Sequence, residues 1–457
     1  MRQMYPSHQH FIRFFLMTIT LILSSAPLQA QGADQQNQDS SYTLERTIQE
    51  ALSANTSMRI SAEQTQAALY QKKSQKTYFY PSFSVNYIYT RKDKADQIAI
   101  PNVGEITLSP ERAYDFSATI TQPIFTGMAI LNQYKIAELG LNQAKIQEAV
   151  TRQNIIFRAK WLYFNLLKTT KLSAVAEQSV TLLEAHRNVA DNFYKVGMSP
   201  LNDLLKAEVE LANARQELVA AQNNYDIAVS NLNIFLRRPV NASIEPKDIS
   251  HYSGFDKDLE SCLKSAGKNR LEMTVADLDI KLREKELALT QKDYYPSLNL
   301  KGTYSRNGDD WNVDGINGDD PDSWNIQAVA TWTFFEWGKT YYGSSAKKHQ
   351  IELSRLKKVQ IQDQITFEVK QAYLKAKESK DNIATVEKAV AQAQESHRIS
   401  EERYNEQMAT STDVLDAQTL LTQTRTKYYN ALYDFELSKA ALDRGMGLPL
   451  QAVEEDK

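Results

Sequence analysis

Two carboxylates, Asp413 and Asp416, stand three residues apart just after a break running from Gln407 to Thr412. On a helix that spacing puts both on one face. A carboxylate at a helix start can accept backbone N–H groups and meets the positive end of the helix dipole. Asp413 can therefore cap the helix, with Asp416 as a solvated charge beside it. Asp203 follows a matching break, Val196 to Pro200. A second acidic stretch, Asp310-x-Asn312-x-Asp314-Gly315, begins like a calcium loop, within a run that includes Asp309, Asp319, Asp320 and Asp322. Position 12 of that loop is Pro321, where a bidentate Glu is needed, so the stretch reads as a solvated loop. His186, His251, His349 and His397 are scattered without metal-ligand spacing. With no phosphate-cradling loop and no nucleophile motif, the chain reads as a non-enzyme needing no cofactor or metal.

The elements that position these carboxylates occur twice. At an offset of 210, Tyr163 falls on Tyr373, Tyr194 on Tyr404, Met198 on Met408, Asp203 on Asp413, Leu211 on Leu421 and Pro239 on Pro449. Upstream the offset is 215, and Tyr80-Pro81-Ser82 meets Tyr295-Pro296-Ser297. The five-residue difference, 215 − 210, falls in a loop between two strand-like segments, where insertions are tolerated. Asp416 aligns with Lys206, so the first half carries no second acidic pair.

Each half predicts a helical stretch, about 42–77 and 257–293, ended by Tyr-Pro-Ser. A strand, a polar loop and a second strand follow, then two long helices. Residues 128–195 hold no Pro, and a helix of that length spans about 100 Å; 338–404 is its counterpart. The returning helices carry alternating 3 and 4 spacings. These run through Leu204, Ala207, Leu211 and Ala214 in one half and Val414, Ala417, Leu421 and Thr424 in the other. Sustained spacing of this kind implies coiled-coil packing between antiparallel helices.

The strands alternate with period 2. Phe83, Val85, Tyr87 and Tyr89 oppose Ser82, Ser84 and Asn86, and Tyr114, Phe116, Ala118 and Ile120 oppose Asp115, Ser117 and Thr119. In the second half Leu298, Leu300 and Tyr304 share a face, as do Trp324, Ile326, Ala328, Ala330, Trp332 and Phe334. One apolar face, aromatic near its ends, and a length of about ten residues fit transmembrane β-strands. Phe116, Ile120, Trp324, Ile326 and Trp332 are the expected lipid-facing residues. A soluble sandwich with one solvated face is the alternative.

Residues 1–30 carry basic Arg2 and Arg13, an apolar run from Phe14 to Ser24 and a small-residue site ending at Ala30, as a signal peptide does. The expected division is 1–30 signal, 31–239 first repeat, 240–256 linker, 257–449 second repeat and 450–457 acidic tail. The 53 basic and 56 acidic residues give a net charge of −3, and no basic excess points to nucleic acid. The single cysteine, Cys262, excludes an intrachain disulfide. Four strands cannot close a barrel and lipid forbids open edges, so the chain must oligomerise: two copies give 8 strands, three 12 and four 16.

The chain resembles the TolC-type outer-membrane efflux family along essentially all of its mature length. The resemblance is carried by Leu44-Glu45 with Ala51-Leu52 and Asn55, by the Tyr-Pro-Ser strand entries, and by Pro123-Ile-Phe-Thr-Gly127 and Phe334-Phe-Glu-Trp-Gly-Lys339. Tyr194-Lys-Val-Gly197 and Thr412-Asp-Val-Leu-Asp-Ala417 add to it. It implies a mixed α+β membrane protein: a homotrimer whose 12-stranded barrel crosses the outer membrane and continues as a periplasmic α-helical barrel. It also implies two partners, a periplasmic adaptor and an inner-membrane RND or ABC pump. By the same resemblance Asp413 and Asp416 line an acidic constriction at the periplasmic entrance, where six carboxylates in a trimer select cations. Tyr404 matches a tyrosine that helps hold that entrance closed, whereas a neighbouring family arginine is replaced by Ala409. The competing reading from another class is a structural coiled-coil protein of the envelope. Within transport, small-molecule efflux and protein secretion both remain open.

Overall fold

The computed structural model describes residues 41–101, 104–248, 254–316 and 320–448. The signal segment, residues 31–40, the acidic tail, His251 and Asp319 lie outside the described residues. The first half contains β1 (Ser41–Tyr42), α1 (Leu44–Ala54), α2 (Thr56–Thr77), β2 (Ser82–Arg91), β3 (Asp96–Ile100), β4 (Gly104–Ser109), β5 (Arg112–Thr126), α3 (Ala129–Lys195) and α4 (Leu201–Phe235). After β6 (Glu245–Pro246) come α5 (Leu259–Asn269), α6 (Leu271–Thr290), a 3-10 turn (Gln291–Tyr294), β7 (Ser297–Gly308), β8 (Asp322–Thr331), α7 (Lys339–Asn405) and α8 (Ser411–Gly445). Helices α3 and α7 have 67 residues each, α4 and α8 have 35, and α1 and α5 have 11. At 1.5 Å per residue the longest pair reaches about 100 Å.

Each expected first helix is broken once. Asn55 is extended (ψ 129°); its N–H closes α1 onto Ala51 O, and its side chain accepts from Ser57 N–H to open α2. Its Nδ2 also donates to Phe235 O at 3.2 Å, a tertiary anchor 180 residues away. Arg270 makes the matching break (ψ 117°), and its guanidinium is held by Glu272, Glu368 and the Gly445 carbonyl. Around these breaks lie the two main apolar clusters. One packs α1 with the middle of α3 and the end of α4, around Tyr163 and Leu232; the other packs α5 with α7 and α8, around Val369 and Leu442.

Strands β2, β5, β7 and β8 form one antiparallel sheet in that order. Its register puts Phe83, Ile120, Gly302 and Ile326 in one row, and Val85, Ala118, Tyr304 and Trp324 in the next. Directly paired residues share a face, so the alternations of the four strands merge into one apolar surface. The row Tyr87, Phe116, Arg306 and Asp322 ends that surface, with Arg306 Nε 2.7 Å from Asp322 Oδ1. The opposite face carries Ser84, Thr119, Thr303 and Asn325. Pro123 sits at a register shift in β5, where a missing N–H is tolerated.

Two features differ from the sequence reading. The loop after β2, read as polar coil, contains the hairpin β3–β4. Strand β8 ends at Thr331, so Trp332 and Phe334 lie beyond it, their rings 6.3 Å apart. The chain there must turn into α7 through Trp337 and Gly338, both at positive φ (51° and 80°). The equivalent turn into α3 uses Gly127 and Met128 (60° and 65°). A Cβ on Gly127 would stand 2.4 Å from the Lys292 carbonyl oxygen, so only glycine fits.

Candidate functional site at the helix turns

The two long hairpins, α3–α4 and α7–α8, turn at the end of the molecule remote from the sheet. Both turns close in the same way. Gly197 N–H donates to Tyr194 O and Met198 N–H to Phe193 O; Gln407 N–H donates to Tyr404 O and Met408 N–H to Arg403 O. The expected break at 407–412 is shorter in the structure, because α8 already begins at Ser411.

That start is a capping box. The Thr410 hydroxyl accepts from Asp413 N–H at 3.3 Å, while Asp413 Oδ2 accepts from Thr410 N–H at 2.8 Å. These donations from Thr410 hold the exposed Asp413 carboxyl below its usual range. Of the two readings open to Asp413, the single chain realises the capping one. Asp416 is exposed on the same helix and borders a cleft of about 610 Å³ between α4 and α8. Lys206, Glu210 and Thr412 line the cleft too, and Lys206 Nζ donates to Thr412 Oγ1 at 3.1 Å. The lysine that aligns with Asp416 in sequence thus approaches it in space, placing a cation across the cleft from the carboxylate.

Tyr404 is 4% exposed. Its ring packs on Phe193 and His186 of α3, with centroids 5.5 and 5.0 Å away, and so fastens α7 to α3. Its hydroxyl lies beside those of Ser199 and Ser411 without completing a hydrogen bond of ordinary geometry, and burial pushes its pKa up. Behind it, His186 Nε2 lies 2.9 Å from Ser411 Oγ, the first residue of α8. Sequence reasoning passed over His186 and His397 as scattered. Their separation, 397 − 186 = 211, differs by one from the 210 offset, and that near-coincidence was the available signal. Along the α3–α8 seam Ser179 lies within 3.5 Å of Gln418 Nε2 and Thr422 Oγ1, and Arg425 donates to Gln178 Oε1 at 2.6 Å. Among the described residues no His, Cys, Asp and Glu side chains converge to hold a metal ion. In the acidic loop, Asp310 Oδ1 accepts from Asn312 N–H at 2.8 Å, an Asx turn.

A sheet with one exposed apolar face, set at the end of helices about 100 Å long, fits a membrane protein with an extramembrane helical part. Solved outer-membrane channels share this fold. The Campylobacter jejuni CmeC outer membrane channel superposes with a TM-score of 0.78 at 16% identity, over 94% of this chain and 94% of that one. VceC, an outer membrane protein of Vibrio cholerae, gives 0.76 at 16% identity, over 89% and 97%. By sequence the chain is 21% identical to outer membrane protein TolC of Escherichia coli K12 over 349 residues, 72% of this chain and 69% of that protein. The Outer membrane efflux protein family matches residues 47–236 and 262–448, and the chain belongs to that family. It is an outer-membrane transport protein with a periplasmic helical part, in a family of channels rather than enzymes.

Proposed function

We propose that three copies of the chain close a single 12-stranded barrel in the outer membrane, continued by twelve helices as a tunnel through the periplasm. The carrying observation is the sheet itself. Its exposed apolar face needs lipid, and β2 and β8 each pair on one side only among the described residues. Lipid does not tolerate such edges, and twelve strands leave a passage where eight would be filled by side chains. Phe116, Ile120, Trp324 and Ile326 then face lipid. Trp332, just past β8, joins an aromatic girdle with Phe79 and Phe334 at the periplasmic boundary. The equal helix lengths support two copies of one structural repeat, 31–239 and 257–449, joined by 240–256.

The tunnel is a passive exit duct of a tripartite efflux or type I secretion system. It receives cargo from an inner-membrane RND or ABC pump through a periplasmic adaptor. Its gate is the helix-turn end. Tyr404 ties α7 to α3 there, and Asp413 and Asp416 from three chains form an acidic constriction. Family membership and the geometry of the turns support this assignment. Purified protein should cross-link to three chains and form discrete channels in planar bilayers. A soluble monomer without conductance would overturn the reading in favour of a structural coiled-coil protein.

A further inference from the structure

His186 of α3 is 7% exposed and packs in one layer with Tyr404 and Ser411, which are 4% and 0% exposed; His397 of α7, 8% exposed, lies two helical turns before Tyr404. His186 touches two of the elements that meet at the tip and lies within electrostatic reach of a third. Its ring lies against Tyr404 of α7, its Nε2 meets Ser411 at the start of α8, and it faces Asp203 of α4. His397 faces Glu401 of its own helix, with Nδ1 3.9 Å from Oε2, and Arg425 of α8. The charged groups around the pair are therefore Asp203, Glu401 and Arg425, two acidic and one basic. Neither acidic group forms a close ion pair with His186, whose one polar contact is the neutral Ser411 hydroxyl.

We propose that His186 and His397 form a proton-sensitive latch, in which protonation of the two imidazoles loosens α3 from α7 and α8 at the helix turns. A neutral imidazole fits this layer, where Ser411 can donate to Nε2. A second positive charge close to the first, in a layer closed to water, does not fit. Burial, and for His186 the nearby His397, hold His186 down at about 4; burial also lowers His397, aided by Arg425 and opposed by Glu401. An imidazole released to water takes up its proton near 6.5. Above that value the packed and released states bind protons alike and the latch is at full strength. Between 6.5 and about 4 only the released state binds the extra proton at His186, so packing weakens as the pH falls, by roughly 300-fold per chain across the window. Because Ser411 directly follows Thr410, the same event reaches the helix start that carries Asp413 and Asp416.

The latch is a property of this chain's packing; its effect on conductance rests on the reading of this end as the gate. The test uses the purified full-length assembly in liposomes and in planar bilayers. Amide hydrogen exchange over residues 183–210 and 397–420, corrected for the intrinsic pH dependence, should rise as the pH falls from 7.5 to 4.5. In the His186→Gln, His397→Gln double variant that rise, measured relative to the variant's own exchange at pH 7.5, should be abolished. Gln at 186 can still reach Ser411, and His397→Gln alone, which keeps the Ser411 contact, should remove part of the response. An unprotected acid response that persists in the double variant, or a wild type whose corrected exchange is flat with pH, overturns the latch. Conductance measured in parallel should follow the exchange. Exchange that responds while conductance does not supports the latch and overturns the gate assignment instead.

Discussion

Gly197 and Gln407, 210 residues apart, hold the same left-handed backbone at the two helix turns, with φ of +77° and +60°. Each is the residue whose N–H closes the end of a 67-residue helix. Glycine adopts this conformation freely, whereas a glutamine Cβ crowds the following carbonyl at a cost of about 1 kcal/mol. The turn that precedes Asp413 is thus the more strained of the two. Gln407→Gly should slow hydrogen exchange at residues 404–412 by a factor of about five. Gly197→Gln should speed it at residues 194–203. Equal and negligible effects would mean that the strain is absorbed elsewhere in the turn.

Thr410 separates the two roles of Asp413. Thr410→Ala removes the cap but leaves the carboxylate charge, and should cost about 1 kcal/mol of helix-start stability. Cation preference of the channel should survive it. Asp413→Ala with Asp416→Ala should weaken both that preference and block by multivalent cations from the periplasmic side. A double variant with unchanged selectivity would leave the pair as helix-start carboxylates alone. The pH dependence has a definite sign: the Asp413 carboxyl is depressed by the Thr410 donors. Its stabilisation is complete above the usual carboxylate range and is lost as the pH falls through the depressed value.

Tyr404 is held by its ring more than by its hydroxyl. Tyr404→Phe removes a buried group that completes no hydrogen bond and should change stability by less than about 1 kcal/mol. Tyr404→Ala empties the contact with Phe193 and His186, and should cost about 3–5 kcal/mol and raise channel opening. If Tyr404→Phe opens the channel as far as Tyr404→Ala does, a hydrogen bond to another chain holds the gate.

Ala328 and Gln327 test the faces of the barrel. Ala328 pairs with Leu300 on the apolar side, and Gln327 with Lys301 on the other. Arg at Ala328 should cost about 2–4 kcal/mol of barrel stability in a denaturant titration, and Arg at Gln327 little. Equal losses would reverse or abolish the assignment of inside and outside.

The long helices, the strands and the first turn were legible because each rests on a local signal: period 2 in the strands, alternating 3 and 4 spacing in the helices, and Gly197 and Pro200 at the turn; the second turn, which has neither Pro nor Gly, was legible through the 210-residue offset. Phe116, Ile120, Trp324 and Ile326 fell on the apolar face for that reason, whereas Trp332 lies past the strand because the turn into α7 ends β8 early. The break at Arg270 was missed because Glu368 and Gly445, which hold its guanidinium, are 98 and 175 residues away, whereas Asn55 caps α2 locally through Ser57, a signal the sequence did carry. The β3–β4 hairpin was missed because its strands, Asp96–Ile100 and Gly104–Ser109, are only five and six residues long, too short for period 2 to stand out. The contact of His186 with Tyr404 and Ser411 was missed likewise, since no pattern within either helix announces it.

At the middle of the sheet β5 pairs with β7, and Thr119 meets Thr303 across 184 residues of chain. A segment that emerges N-terminus first must therefore hold β2 and β5 as an isolated hairpin, marginal in water, until nearly two hundred further residues have been delivered. Pairings so distant in sequence form slowly. During that wait an apolar face and two sticky edges stand open to unrelated chains. Membrane insertion is then timed by the arrival of the second half, and the protein's vulnerable interval lies in its biogenesis rather than in its working life.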